Sequence, residues 1–172
     1  PPGEYVLTAT FFDYDTLETS KVLGREGLPQ ADRIDLGKVH VIRPSTSASP
    51  IALDLQNKPE IPLTPEITLL GGGADRQHAS PGDLLSVTLF FAAEVAPTSD
   101  EYITLRLEGT DFALALEPTP GFPTGQWQAG DVWRGQHLVR LPAGLEDGIY
   151  RWTVVSSANL KADVDILQID SP

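Results

Sequence analysis

Residues 80–94 read SPGDLLSVTLFFAAE, and the spacing of their apolar side chains decides the fold. Leu85, Val87, Leu89 and Phe91 alternate with Ser86 and Thr88. Successive side chains of a strand point to opposite faces, so a period of two predicts a strand with one face buried. Pro81-Gly82-Asp83 supplies the turn that starts it. The stretch is expected to be the central strand of a β-sandwich.

The sequence on either side carries the same pattern. Residues 101–108 (EYITLRLE) place Ile103, Leu105 and Leu107 on one face and Tyr102, Thr104 and Arg106 on the other. Residues 111–117 (DFALALE) are the expected hairpin partner across Gly109-Thr110. A turn-rich segment over 118–130 follows, and strands resume at 131–141, 148–155 and 163–169. Upstream, 66–70 reads as a strand that Gly71-Gly72-Gly73 should end. The expected core is Leu85, Val87, Leu89, Phe91, Ile103, Leu105, Leu107, Tyr150, Trp152 and Val154. Nowhere do apolar residues hold the i, i+3, i+4, i+7 stripe of an amphipathic helix, so almost no helix is expected.

The first 43 residues alternate as well. In 4–12 (EYVLTATFF), Tyr5, Leu7, Ala9 and Phe11 share a face, and residues 13–16 supply a turn. A short return strand is expected at 21–23 and a loop at 24–32. Residues 33–43 form a second long strand whose apolar phase shifts at Gly37, from Ile34 and Leu36 to Val39 and Val41. A glycine at a phase shift predicts a β-bulge. Residues 44–65 carry five prolines and a Ser/Thr-rich tract around the patch Ile51, Leu53, Leu55, which reads as a linker with one short strand.

Gly3-Glu4-Tyr5-Val6-Leu7-Thr8 resembles Gly148-Ile149-Tyr150-Arg151-Trp152-Thr153, and an alternating strand follows each, at 38–42 and at 162–166. The chain therefore reads as an all-β, antiparallel immunoglobulin-like sandwich protein: a partial repeat with a Pro-rich linker over 1–62, then a complete repeat over 63–172. Two or three strands cannot bury a core of their own. Tyr5, Leu7, Phe11, Ile34, Val39 and Val41 are thus expected to pack on the complete sandwich or, through residues 1–43, on a second copy of the chain.

Composition narrows the function classes. Twelve basic against 24 acidic residues give a net charge of −12, which repels phosphate backbones and anionic lipid, so nucleic acid is not an expected partner. With no cysteine, disulfides, thiolate metal sites and cysteine nucleophiles are excluded. The chain opens Pro1-Pro2-Gly3 and lacks methionine, which reads as a piece of a longer parent protein. No run approaches the roughly 18 apolar residues of a membrane span, so this piece is not expected to insert in a membrane.

The order of signals after Ser80 resembles a known repeat: Pro81-Gly82-Asp83, Asp100-Glu101-Tyr102, Pro120-Gly121-Phe122-Pro123-Thr124, Trp127, Gly130-Asp131, Leu141-Pro142 and Gly148-Ile149-Tyr150. It is similar to the extracytoplasmic β-sandwich repeats that follow multi-pass glycosyltransferase-like segments in membrane proteins of Chloroflexus-type bacteria. Residues 66–170 carry the resemblance, and 1–43 are similar to the closing half of a preceding copy. Phe90-Phe91-Ala92-Ala93 stands where that family usually has a Trp. The resemblance implies an extracytoplasmic or cell-surface setting and supplies no catalytic residues.

Candidate sites are sparse. Asp13, Asp15 and Glu18 cluster carboxylates that could hold a hard cation, although a hairpin turn uses the same residues for Asx-type hydrogen bonds. Asp163, Asp165 and Asp170 fit the solvent face and end of a terminal strand, where charge discourages edge pairing. Gly71-Gly72-Gly73 lacks the following helix that a phosphate cradle needs. His78, Ser80 and Asp83 lie close in sequence without a nucleophile elbow, and read as loop residues. His40 and His137 have no partner at metal-ligand spacing and read as surface or hydrogen-bonded histidines. Trp127, Trp133, Tyr102 and Phe122 are the candidates for ligand binding, since exposed aromatic faces stack on sugar rings; aromatics are also the commonest way to close the end of a sandwich, and for Trp127 and Trp133 that packing is the preferred reading. No enzyme and no cofactor is expected. The expected function is a non-catalytic module that spaces or positions the rest of its parent protein, with a carbohydrate-binding module using Trp127 and Trp133 as the alternative.

Overall fold

A computed structural model describes residues 1–13, 16, 18–46, 53 and 60–170. The chain divides into two units, Pro1–Ser45 and Thr46–Pro172. Its regular structure is almost wholly β. Among the described residues the one helical element is a 3₁₀ turn, Thr124–Gln126.

The first unit is built on β1 (Gly3–Ala9) and β4 (Ile34–Val41), paired antiparallel with Gly3 opposite Val41 and Ala9 opposite Ile34. Their connection carries a small hairpin of β2 (Val22–Leu23) and β3 (Pro29–Ala31), and a bridge joins Phe12 to Thr19. The expected bulge is present. Leu7 faces Gly37 and Thr8 faces Asp35, so Leu36 is the extra residue. Gly37 takes φ +147°, a conformation that a Cβ would disfavour.

The second unit is a sandwich of two sheets. One holds β5 (Ile61–Pro62), β6 (Ile67–Ala74), β8 (Leu84–Ala93) and β11 (Val132–Arg140), in the order β11-β8-β6-β5. The other holds β7 (His78–Ala79), β9 (Ile103–Leu107), β10 (Ala113–Leu116), β12 (Gly148–Ser156) and β13 (Lys161–Ile169), in the order β10-β9-β12-β13-β7. All pairings are antiparallel except the short β7–β13 pair. Ile61 and Pro62 pair with Leu69 and Thr68, so the sheet begins inside the stretch read as linker.

The inward faces follow the alternation. Leu85, Val87, Leu89 and Phe91 of β8 are fully buried against Leu105 and Leu107 of β9 and Trp152 and Val154 of β12, within one core that also takes in Leu167 and Ile169. Tyr150 is half-buried at the margin of this core. The turn before β8 forms as expected: Gly82 has φ +85° and the Asp83 N–H donates to the Ser80 carbonyl, a type II arrangement with proline before glycine.

The triple glycine corrects the sequence reading. Gly71-Gly72-Gly73 does not end a strand; β6 runs through it, with Leu70 bulged out of register against β8. A Cβ on Gly72 would stand 2.4 Å from the Thr88 carbonyl oxygen. Glycine therefore lets two backbones approach closely where it was expected to break one.

The two strand pairs β1–β4 and β12–β13 agree in register pair by pair. Gly3, Tyr5 and Leu7 face Val41, Val39 and Gly37; Gly148, Tyr150 and Trp152 face Ile169, Leu167 and Asp165. Both shift register at the next step, after Leu7 in one and after Trp152 in the other. This register sets Ile34, not Lys38, at the place of Ala162. The tyrosines match too: Tyr5 donates to the Pro1 carbonyl at 2.8 Å and Tyr150 to the Glu146 carbonyl at 2.9 Å, each four residues upstream.

Candidate functional site

The four aromatic candidates do not form a platform. Trp127 is 2% exposed, tilted against Phe91 at 6.2 Å between ring centroids, and its Nε1–H donates to the Phe122 carbonyl. Phe122 is itself buried and meets Trp133 edge-on at 4.9 Å. Trp133 is half-buried and donates through Nε1 to Asp131 Oδ2 at 3.1 Å. Only Tyr102, 56% exposed, offers a free face. Trp127 thus packs, the reading preferred over ligand contact, and the alternative that used an exposed Trp127 is corrected.

The cause is local. The 3₁₀ turn is pinned by Thr124, whose hydroxyl donates to the Ser99 carbonyl and accepts from the Glu101 N–H, and by Asp100, which accepts from the Gly125 N–H. These bonds turn the 118–130 segment over the sandwich end and direct the indole of Trp127 inward. A buried indole needs a partner for its N–H, and the Phe122 carbonyl supplies it.

The acidic turn is a hydrogen-bonded turn. Asp13 Oδ1 accepts from both the N–H and the hydroxyl of Thr16, and that hydroxyl accepts from the Glu18 N–H. Asp15 lies outside the described residues, as do Ile51 and Leu55 of the short strand expected in the linker. Among the described residues no group of His, Asp or Glu is placed to hold a metal ion.

His78, Ser80 and Asp83 come together at the β7–β8 turn without the geometry of nucleophilic catalysis. The Ser80 hydroxyl donates to the Asp170 carbonyl, the Ser80 N–H donates to Asp83 Oδ2, and the His78 ring faces Asp170. Each group serves the turn and the strand end. Asp163 pairs with Arg151 at 2.9 Å, and Asp165 accepts from the Ala74 N–H at 3.2 Å, tying the β13 bulge to β6. His40 is exposed on β4. His137 is buried on β11, and burial lowers its pKa, an effect the hydrogen-bonding Pro118 carbonyl partly offsets.

Two open clefts flank the β9–β10 turn. One, of about 540 Å³, lies between Thr110, Phe112, Leu145 and Tyr150; the other, of about 400 Å³, lies beside Glu108, Ile149, Arg151 and Ile166. Sequence reasoning named Asp163, Ile149 and Tyr150 singly but not this grouping, because only strand register brings 108, 151 and 163 side by side. Their charges are paired: Arg151 with Asp163, and Glu108 with Lys161 at 3.5 Å. Exposed pairs of this kind orient side chains and stabilise little.

No family model matches the chain, and no curated protein matches it. Among solved structures it is similar to Spo0M, a sporulation control protein from Bacillus subtilis, at 11% identity and a TM-score of 0.44. The likeness covers 63% of this chain and 51% of Spo0M, about half of that protein's length.

Proposed function

We propose that the chain is a non-catalytic structural module of a larger bacterial surface or membrane protein, an extracytoplasmic spacer assembled from immunoglobulin-like sandwich repeats. The observation that carries this reading is the agreement between β1–β4 and β12–β13 in register, bulge and tyrosine bond. Such agreement is what a tandem array gives, in which each repeat ends in the same closing hairpin. The tyrosine bonding to a carbonyl just upstream resembles the corner tyrosine of immunoglobulin-like sandwiches. The facing sheets β11-β8-β6 and β10-β9-β12-β13 support the same assignment. Compartment rests on the resemblance of residues 66–170.

A spacer is defined by its fold and length rather than by its surface chemistry. Replacing residues 61–170 in the parent protein by an unrelated β-sandwich of similar span should therefore preserve the parent's surface display and activity. Loss of either, with the replacement folded, would mean that this unit recognises a specific partner.

A further inference from the structure

The β1–β4 hairpin carries a contiguous apolar stripe on one face. Leu7, Ile34, Leu36, Val39 and Val41 are 39–60% exposed. Their register counterparts in the second unit, Trp152, Ala162, Val164, Leu167 and Ile169, are 0–8% exposed. The opposite face carries Glu4, Val6, Lys38 and His40, with Lys38 bridging to Glu4 at 2.7 Å. A hairpin with one apolar face and one mostly polar face is shaped to lie on a sheet.

Among the described residues no strand pairs with either outer edge of the hairpin. In the second unit the corresponding edges are paired, β12 with β9 and β13 with β7, while the inner face lies over β6 and β8 in the core. Chain order there runs from these opening strands to the closing hairpin.

We propose that the inner face and both edges of β1–β4 are covered by the opening strands of a further sandwich repeat, equivalents of β6, β7, β8, β9 and β11, for which β1–β4 is the closing hairpin. This rests on the repeat reading above. A second copy of the chain fits less well. Two such hairpins stacked face to face would cover their apolar stripes but leave their edge N–H and C=O groups without strand partners. The bulge and the tyrosine bond, shared with β12–β13, belong to a hairpin already fitted to an opposing sheet.

The test extends the full chain by a second copy of residues 60–145 placed directly before Pro1. The junction matches the second unit, where Glu146 stands at the place of Pro1. Because the added strands come from a core built around Trp152 and Val154, a second version carries Leu7→Trp and Ala9→Val. Hydrogen exchange of the amides in 3–9 and 34–41 is compared with the unextended chain. The proposal expects these amides to slow by at least about a hundredfold in one or both versions, the order of change that separates a free hairpin from a cooperatively folded sheet. It also expects the slowing to be lost on Val39→Asp.

Unchanged exchange in both versions overturns the proposal. So does protection already present in the unextended chain, whether it runs as a monomer, with the stripe covered from within, or as a concentration-dependent dimer, with a second copy as occupant. The spacer reading has its own test in the replacement of residues 61–170, so the failure of one is distinguishable from the failure of the other.

Discussion

The hairpins β1–β4 and β12–β13 have one geometry and two fates. Local features decide the geometry: the alternation, the Gly-x-Tyr opening and the bulge at the same step are present in both. Burial is decided elsewhere. Trp152 is inaccessible because β6, β8 and β9 stand opposite or beside it, whereas Leu7, at the same register position, is 53% exposed. The connections differ as well: β12 and β13 are joined by a tight turn through Asn159, at φ 61°, and β1 and β4 by a long excursion that contains β2 and β3. Register is thus a property of the hairpin, and burial a property of the unit that contains it.

The sharpest way to break this comparison is to truncate the matched inward positions. Trp152→Ala should destabilise the second unit by about 3–5 kcal/mol, from lost transfer free energy and the cavity left behind. Leu7→Ala, at the matched but exposed position, should change stability by less than about 0.5 kcal/mol. Urea unfolding followed by Trp fluorescence and by exchange at the hairpin amides measures both. Equal costs would show that the β1–β4 stripe is buried in solution and that the two hairpins share one fate.

A smaller effect is expected at the bulges. Asp165 fills the position that Gly37 holds in β4, and its carboxylate accepts from the Ala74 N–H on the facing sheet. Asp165→Ala leaves that N–H without its acceptor, so about 1–3 kcal/mol should be lost. No such bond exists to lose at Gly37. A neutral Asp165→Ala would mean that the inter-sheet tie contributes nothing and that the two bulges are equivalent in energy as well as in register.

The tyrosine bonds make a finer distinction. Tyr150→Phe removes one hydrogen bond at the margin of a folded core and should cost about 0.5–1.5 kcal/mol. Tyr5→Phe removes the same bond from a hairpin with little burial around it and should leave the midpoint of the second unit unchanged.

The sequence told most where structure is periodic and local. Alternation placed β8, β9 and β12 and their buried faces, and the phase break at Gly37 located the bulge. It misled where the decisive contact is distant in sequence. Gly71-Gly72-Gly73 reads as a strand end by composition, but the reason for glycine there is the Thr88 carbonyl of a neighbouring strand. Trp127 lies in a segment with no periodicity, and its burial follows from bonds to Ser99, Asp100 and Glu101 that no spacing rule encodes. The similarity of 3–8 to 148–153 was legible, while the offset of the second strand was not, because the connecting segments differ in length.

The last prediction concerns pH and the buried histidine of the second unit. His137 sits inward on β11, opposite Val87, and burial lowers its pKa below the ordinary value of 6.5. When a folded-state pKa is depressed, the unfolded chain binds the proton more readily, so stability rises with pH across that interval. The contribution is fully present above about pH 6.5, the unfolded value, and fades as pH falls from there toward the lowered folded value. Carboxylates add their own acid dependence, so the informative quantity is a difference. Between pH 7.5 and 5.5, the thermal midpoint of the second unit should fall further in the parent chain than in His137→Gln, which keeps a hydrogen-bonding side chain but cannot titrate there. Parallel profiles for the parent and His137→Gln would show that the histidine ring reaches water in the folded state, and that β11 is less tightly closed than its burial indicates.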